Sequence, residues 1–208
     1  MGAEGEVESW VTVGCNFLGL SAENMLHALG VGCCLGGRKV GLPQIVISTD
    51  PGPDPDDIKT ILILAMLHKQ SAVSLRAVIC SGGQQPEKRA ALGKCLLNHL
   101  GESNVPVGIG SRGKEYSAQP HEYLLEGHGQ VREDADLVEG HALLMQSLTM
   151  VCVASLRDFA DAMLADPDLF VAKVAVVAIQ RDDEDSPWRP DTSVNNMFDI
   201  EGAAHVYQ

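Results

Sequence analysis

The sequence predicts an α/β fold, an open and mostly parallel sheet with helices on both faces. Three observations predict it. From Pro43 onward, apolar runs of strand length alternate with helix-length runs, the pattern that builds parallel sheets through right-handed crossovers. The first apolar run is almost uninterrupted, as suits a strand covered on both faces. A cluster of acids then separates this run from the next helical one. In open α/β sheets, ligands bind beyond the carboxyl ends of the strands.

The elements follow in order. Gln44–Ser48 reads as a strand, and Asp57–His68 as a helix with Ile58, Ile61, Leu62 and Ala65 at helical spacing. Leu75–Cys80 is a second strand, Ser81–Pro86 a tight loop, and Glu87–Leu100 a second helix stopped by Gly101. Val105–Ile109 is a third strand. Residues 110–140 are polar and read as one long loop, and loops of that length in a compact domain are often functional. His141–Ser147 reads as helical and Leu148–Val153 as a strand. Leu156–Ala165 is a helix ended by Asp166-Pro167, and Ala172–Ile179 a further strand. Arg181–Pro190 is a charged loop, and Asp199–Tyr207 begins a helix.

Residues 1–40 are set apart as an amino-terminal extension of unknown role, ahead of an α/β domain over 41–208. In the extension, Val11–Val13 and Phe17–Leu20 are apolar, Ala22–Leu29 suits a short helix, and Gly30–Gly37 reads as a loop or linker.

Composition narrows the function. The chain has 208 residues, enough for one well-buried domain, and its aromatic content of 4% requires an aliphatic core. A formal net charge of −13 argues against a nucleic-acid partner and against a basic membrane-binding patch. No apolar run reaches transmembrane length, and the acidic amino terminus lacks the basic region of a secretory signal. The six cysteines show neither CxxC nor zinc-like spacing, which suits free thiols in a reducing compartment and a cytoplasmic location.

The acid cluster is Ser48-Thr49-Asp50-Pro51-Gly52-Pro53-Asp54-Pro55-Asp56-Asp57, with four carboxylates in the eight residues from Asp50 to Asp57. Packed like charges call for a positive partner, and clustered carboxylate oxygens suit a hard divalent ion such as Ca2+ or Mg2+. The ordinary alternative is a solvated turn whose last acid caps the following helix. The spacing is not that of an EF-hand loop. No phosphate-cradling Gly-Lys motif accompanies the acids, which disfavours a phosphotransferase, and Ser155 lacks a nucleophile-elbow context.

This stretch resembles the Asp-rich amino-terminal signature of the inosine/uridine-preferring nucleoside hydrolases, in its longer variant, with Ser48 replacing the leading Asp. The resemblance runs from about Pro43 to the end. Gly83-Gln84-Gln85-Pro86 is similar to a family Gly-Asn loop, and Pro106-Val107-Gly108-Ile109-Gly110 to its Pro-Val-x-x-Gly strand. His128-Gly129 is similar to a His-Gly loop, and Ala154-Ser155-Leu156-Arg157-Asp158 to Gly-Pro-Leu-Thr-Asn. Ser193-Val194-Asn195-Asn196-Met197-Phe198-Asp199-Ile200-Glu201-Gly202-Ala203 resembles the family's Glu-Phe-Asn-x-x-x-Asp-Pro-Glu-Ala-Ala. Gln84, Arg157 and Ser193 depart from the family's Asn, Thr and Glu. The family continues for about a further third of its length, where it supplies another metal-ligating Asp and often a catalytic His. The expectation is therefore a truncated or rewired member.

The resemblance implies a Rossmann-like core and a calcium-assisted hydrolysis of ribonucleosides to base and ribose. On it, Asp50 is metal ligand and general base, Asp57 a second metal ligand, and the Arg157 backbone carbonyl a further metal oxygen. Asp56 and Asn195 hold the ribose, while the role of Asp54 stays open. Against each stands a plainer reading: an N-cap for Asp57, a first-turn acid favoured by the helix dipole for Asp56, and a turn residue for Asn195. Gln84 and His128 are weaker candidates for contacts to the sugar and the leaving base. The expected partner is a small ribonucleoside, with homo-oligomerisation open. The competing function is a non-catalytic domain of the same fold that binds metal, riboside or a partner protein.

Overall fold

The computed structural model describes residues 13–15, 42–52, 54–83, 85–112, 137–139, 149–180 and 193–207. Its strands are β1 (Val13–Cys15), β2 (Gln44–Thr49), β3 (Ser74–Cys80), β4 (Val107–Ile109), β5 (Leu137–Glu139), β6 (Thr149–Cys152) and β7 (Val176–Gln180). Its helices are α1 (Pro55–Lys69), α2 (Pro86–His99), α3 (Arg157–Ala165), α4 (Pro167–Lys173), α5 (Val194–Phe198) and α6 (Ile200–Val206). The strands form one sheet in the order β1-β7-β6-β2-β3-β4-β5, and every adjacent pair is parallel. The α/β class and the parallel sheet are as expected.

β2 lies at the centre because both of its faces are apolar and covered. Ile45 and Ile47 enter the core under α1 and α2 with Ile61, Leu64, Ala65 and Leu97. Val46 points the other way, into a core shared with Leu156, Phe159, Phe170 and Ala203. This alternation is the period of two of a strand. Against β3 the register shifts between Ile45 and Val46, where Leu75 and then Ala77 are the partners. The extra residue, Arg76, is exposed, so a charged side chain is accommodated and the core alternation resumes at Ala77.

The chain runs outward from β2 through β3, β4 and β5, then returns to place β6 on the opposite side of β2. The strand order therefore reverses beside β2. Such a reversal opens a crevice at the carboxyl ends of the strands.

Several boundaries differ from expectation. Asp166-Pro167 starts a helix as well as ending one. Pro167 takes the first turn of α4, where its missing N–H costs nothing, and the Asp166 carboxylate accepts the N–H of Leu169 at 2.9 Å. The last strand of the sheet order's β6–β7 pair consequently begins at Val176 rather than Ala172. Ser193 and Asp199 cap two short helices, α5 and α6, where a single one from Asp199 was expected. β1 falls within residues 1–40 and pairs with β7, while β5 falls within the expected 110–140 loop and pairs with β4. The expected helices over Ala22–Leu29 and His141–Ser147, the loop Arg181–Pro190, and the candidates Gln84 and His128 lie outside the described residues.

Candidate functional site

The acid loop leaves the carboxyl end of β2, at the reversal point of the sheet. Thr49 ends the strand and is buried. Its hydroxyl donates to Asp57 Oδ1 at 2.6 Å, and the Asp50 N–H donates to the same oxygen at 3.0 Å. Asp57 is itself buried, at 4% exposure. The helix N-cap is Asp54, whose side chain makes no capping bond. The plainer reading of Asp57 as N-cap is thus corrected: it sits in the first turn of α1 and folds back to fasten the loop.

Arg89, from α2, fastens the loop from the other side. Its Nη1 donates to the carbonyls of Asp50 at 2.5 Å and Pro51 at 3.2 Å. A side chain at position 52 would meet that nitrogen at 2.7 Å, so Gly52 leaves room for the guanidinium. The next glycine contact is equally specific. Gly82 holds a φ of +86°, and a Cβ there would lie 3.1 Å from Asp50 Cβ and 3.3 Å from Asp50 Oδ2. Only glycine combines that backbone conformation with such an approach. The loop after β3 therefore walls in the Asp50 side chain.

Two carboxylates are thus held together in a partly dry corner. Burial first, and then repulsion from Asp57, push the Asp50 carboxyl well above the usual carboxylate range, against the pull of Arg89. Burial also raises Asp57 to about 6, opposed by the Thr49 hydrogen bond. Such a pair holds a proton or attracts a cation. Carboxylate oxygens are the donor chemistry that a hard divalent ion takes. Among the described residues, however, no group of three or more His, Cys, Asp or Glu side chains comes together to hold a metal. A cation would be held by an open set in which these two acids are the anionic ligands.

Asp56 points elsewhere. Its Oδ2 accepts from Gln180 Nε2 at 3.2 Å, and Gln180 Oε1 accepts from Asn195 Nδ2 at 3.1 Å. Asn195 Nδ2 also donates to the Val153 carbonyl at 3.1 Å. The structure so links Asp56 on α1 to Asn195 on α5 through the last residue of β7. All three side chains are partly exposed and available to a ligand.

Arg157 does something the sequence did not disclose. Its Nε and Nη2 each donate to Asp199 at 2.6 Å, forming a two-pronged pair with a carboxylate of 0% exposure. Asp199 Oδ1 also accepts the Gly202 N–H at 2.8 Å. The side chain of Arg157 is therefore committed to joining α3 to α6.

Another buried acid is Asp158, at 4% exposure. Asp158 Oδ1 accepts the Ser111 N–H at 2.8 Å, while Oδ2 has no hydrogen-bond partner among the described residues. Burial raises its carboxyl to about 6, opposed first by the Ser111 N–H bond. Ser81 also approaches Ser48 Oγ at 3.4 Å, so the serine that departs from the Asp-rich signature belongs to a buried hydroxyl pair.

Sequence reasoning missed Arg89 and Gln180 as parts of this region, and the pairing of Asp199 with Arg157. Gln180 carried a usable signal, since it lies at the carboxyl end of a sheet strand, one residue past the expected boundary. Arg89 carried none, being one basic residue in a charged helix.

Solved structures place the fold. The chain is similar to the type III effector protein XopQ, solved with adenosine diphosphate ribose, at 27% identity and a TM-score of 0.67, covering 89% of this chain and 58% of that one. It is similar to the effector protein XOO4466 at 27% identity and a TM-score of 0.68, covering 89% of this chain and 56% of the effector. A plant nucleoside hydrolase, PpNRh1, shares the fold at 20% identity and a TM-score of 0.56, covering 79% of this chain and 56% of the enzyme. The chain thus spans less than two thirds of the length of these proteins, and its fold is nucleoside-hydrolase-like. No protein-family model matches the chain, and neither does any curated protein.

Proposed function

We propose that the chain is a riboside-binding domain that, with a divalent cation, hydrolyses the N-glycosidic bond of purine or pyrimidine ribonucleosides. The observation that carries this reading is the division of labour among the loop acids. Asp50 and Asp57 converge on one corner, while Asp56 is tied through Gln180 to Asn195. The fold shared with nucleoside hydrolases supports it. So does the effector crystallised with adenosine diphosphate ribose, itself a riboside.

Hydrolysis adds water across the C1′–N bond. The water oxygen bonds to C1′, the bond to the base breaks with its electron pair leaving on the base, which takes up a proton to replace the one that Asp50 removes from the water, and the ribose ring carries positive charge in between. Asp50 takes the proton from the attacking water as general base. Asp57, held by Thr49 and the Asp50 N–H, keeps the second carboxylate facing the same corner. Asp56 and Asn195 hold ribose hydroxyls. A bound Ca2+, or Mg2+, held by Asp50, Asp57 and the Arg157 carbonyl, would acidify that water and keep both acids ionised.

The test is release of ribose and base from inosine and uridine, and of adenine from adenosine diphosphate ribose, at calcium saturation, with occupancy followed by calorimetry. Release is expected, and Asp50→Asn lowers it by roughly 10²- to 10⁴-fold, the range for loss of a general base. Riboside binding without release selects the second reading, a non-catalytic domain. The open ligand set is the observation favouring that alternative. The net charge of −13 favours a small-molecule partner over nucleic acid. Buried thiols such as Cys152, pushed up to about 12, suit a cytoplasmic setting.

A further inference from the structure

The chain of amides beside the acid loop determines which atoms face a ligand. An ionised carboxylate and a backbone carbonyl can only accept hydrogen bonds. Asp56 Oδ2 stands at one end of the chain and the Val153 carbonyl at the other. Gln180 must therefore turn Nε2 toward Asp56, which leaves Oε1 for the Nδ2 of Asn195. Flipping either amide would set like groups against each other at both of its contacts. Both hydrogens of Asn195 Nδ2 are consumed within the protein, one by Val153 and one by Gln180. Asn195 Oδ1 and Asp56 Oδ1 accept no hydrogen bond from the described residues.

We propose that Gln180 is a positioning residue of the riboside site, locking Asp56 and Asn195 so that both present acceptors to the hydroxyls of the sugar. The assignment rests on the riboside reading above. An edge built this way accepts hydrogen bonds from a neutral diol and repels phosphate or carboxylate oxygens. In a larger riboside, the charged groups then lie away from the Asp56–Asn195 edge.

The orientation is tested first in the ligand-free protein, by exchange of ¹⁵N-labelled side-chain amides. Both Asn195 protons are expected to exchange at least about tenfold more slowly than those of exposed asparagines, and Gln180→Met removes the protection of one. Calorimetry with inosine at fixed calcium then reads the ligand. Gln180→Met is expected to weaken binding roughly tenfold, about the loss of one or two hydrogen bonds. The loss disappears for at least one of 2′-, 3′- and 5′-deoxyinosine. Gln180→Glu sets a second carboxylate against Asp56 and weakens binding at least as much.

Asn195 protons exchanging at the exposed rate in the wild type overturn the assignment without any variant. So does a folded Gln180→Met protein that binds inosine as tightly as the wild type. A wild type that binds no riboside removes the riboside reading and the proposed ligand together. Gln180-dependent protection of Asn195 is still decided separately in that case.

Discussion

Asp158 is 4% exposed, and one of its oxygens has no hydrogen-bond partner among the described residues. An ionised carboxylate in that position costs free energy, which is why its folded pKa rises from 3.8 to about 6. A raised carboxylate pKa means that the native state binds the proton more tightly than the unfolded chain does. This contribution to stability is fully present below about pH 4 and is lost as pH rises through about 6. Replacing Asp158 by Asn keeps an acceptor for the Ser111 N–H and removes the charge. The variant is expected to be more stable than the wild type at pH 7.5, by at most about 3 kcal/mol, with the gain vanishing near pH 4. Urea denaturation at both pH values measures it. A gain that stays constant across this range would assign the effect to packing.

At the scale of elements, the join between α3 and α6 depends on the Arg157–Asp199 pair. Gly202 allows the close approach, since a Cβ there would lie 3.1 Å from Arg157 Cα. Asp199 also caps α6 through the Gly202 N–H. Removing one member of a buried ion pair strands the other and typically costs about 3–5 kcal/mol. Asp199→Ala is therefore expected to destabilise by about that amount, measured by chemical denaturation. Asp161→Ala, at the half-exposed end of the same arginine, costs under about 1 kcal/mol. The same region shows how a local signal can have two outcomes. Asp166-Pro167 reads equally as a stop and as a start, and it became both because Phe170 on α4 reaches the core under the sheet.

Across the whole molecule, Asp50, Asp57 and Asp158 all have raised pKa values. Asp57 and Asp158 make the cation-free protein lose stability between about pH 4 and pH 6, and Asp50 acts in the same direction. A cation bound by the acid loop opposes this loss by mass action, contributing about 2.7 kcal/mol at a hundredfold excess over its Kd. Calcium is thus expected to raise the thermal midpoint at pH 7.5 and to have little effect near pH 4, where the acids are protonated. Asp57→Asn abolishes the shift at pH 7.5. An undiminished shift in that variant would place the ion elsewhere. Among the described residues, no helix is long and apolar enough to cross a membrane.

The sequence by itself determined the parallel α/β sheet, the near-continuous core strand from Gln44, and the acid loop that follows it. These rest on local periodicity and on residue types whose chemistry does not depend on what folds against them. The tertiary structure alone decided that Asp57 fastens the loop, that Arg89 grips its carbonyls, and that Gln180 joins Asp56 to Asn195. The first is a local meeting, seven and eight positions apart, but the Arg89–Asp50 and Gln180–Asp56 contacts connect residues 39 and 124 positions apart in the chain. No local pattern encodes such a meeting, because the sheet order that brings the strand ends together is a property of the packed whole.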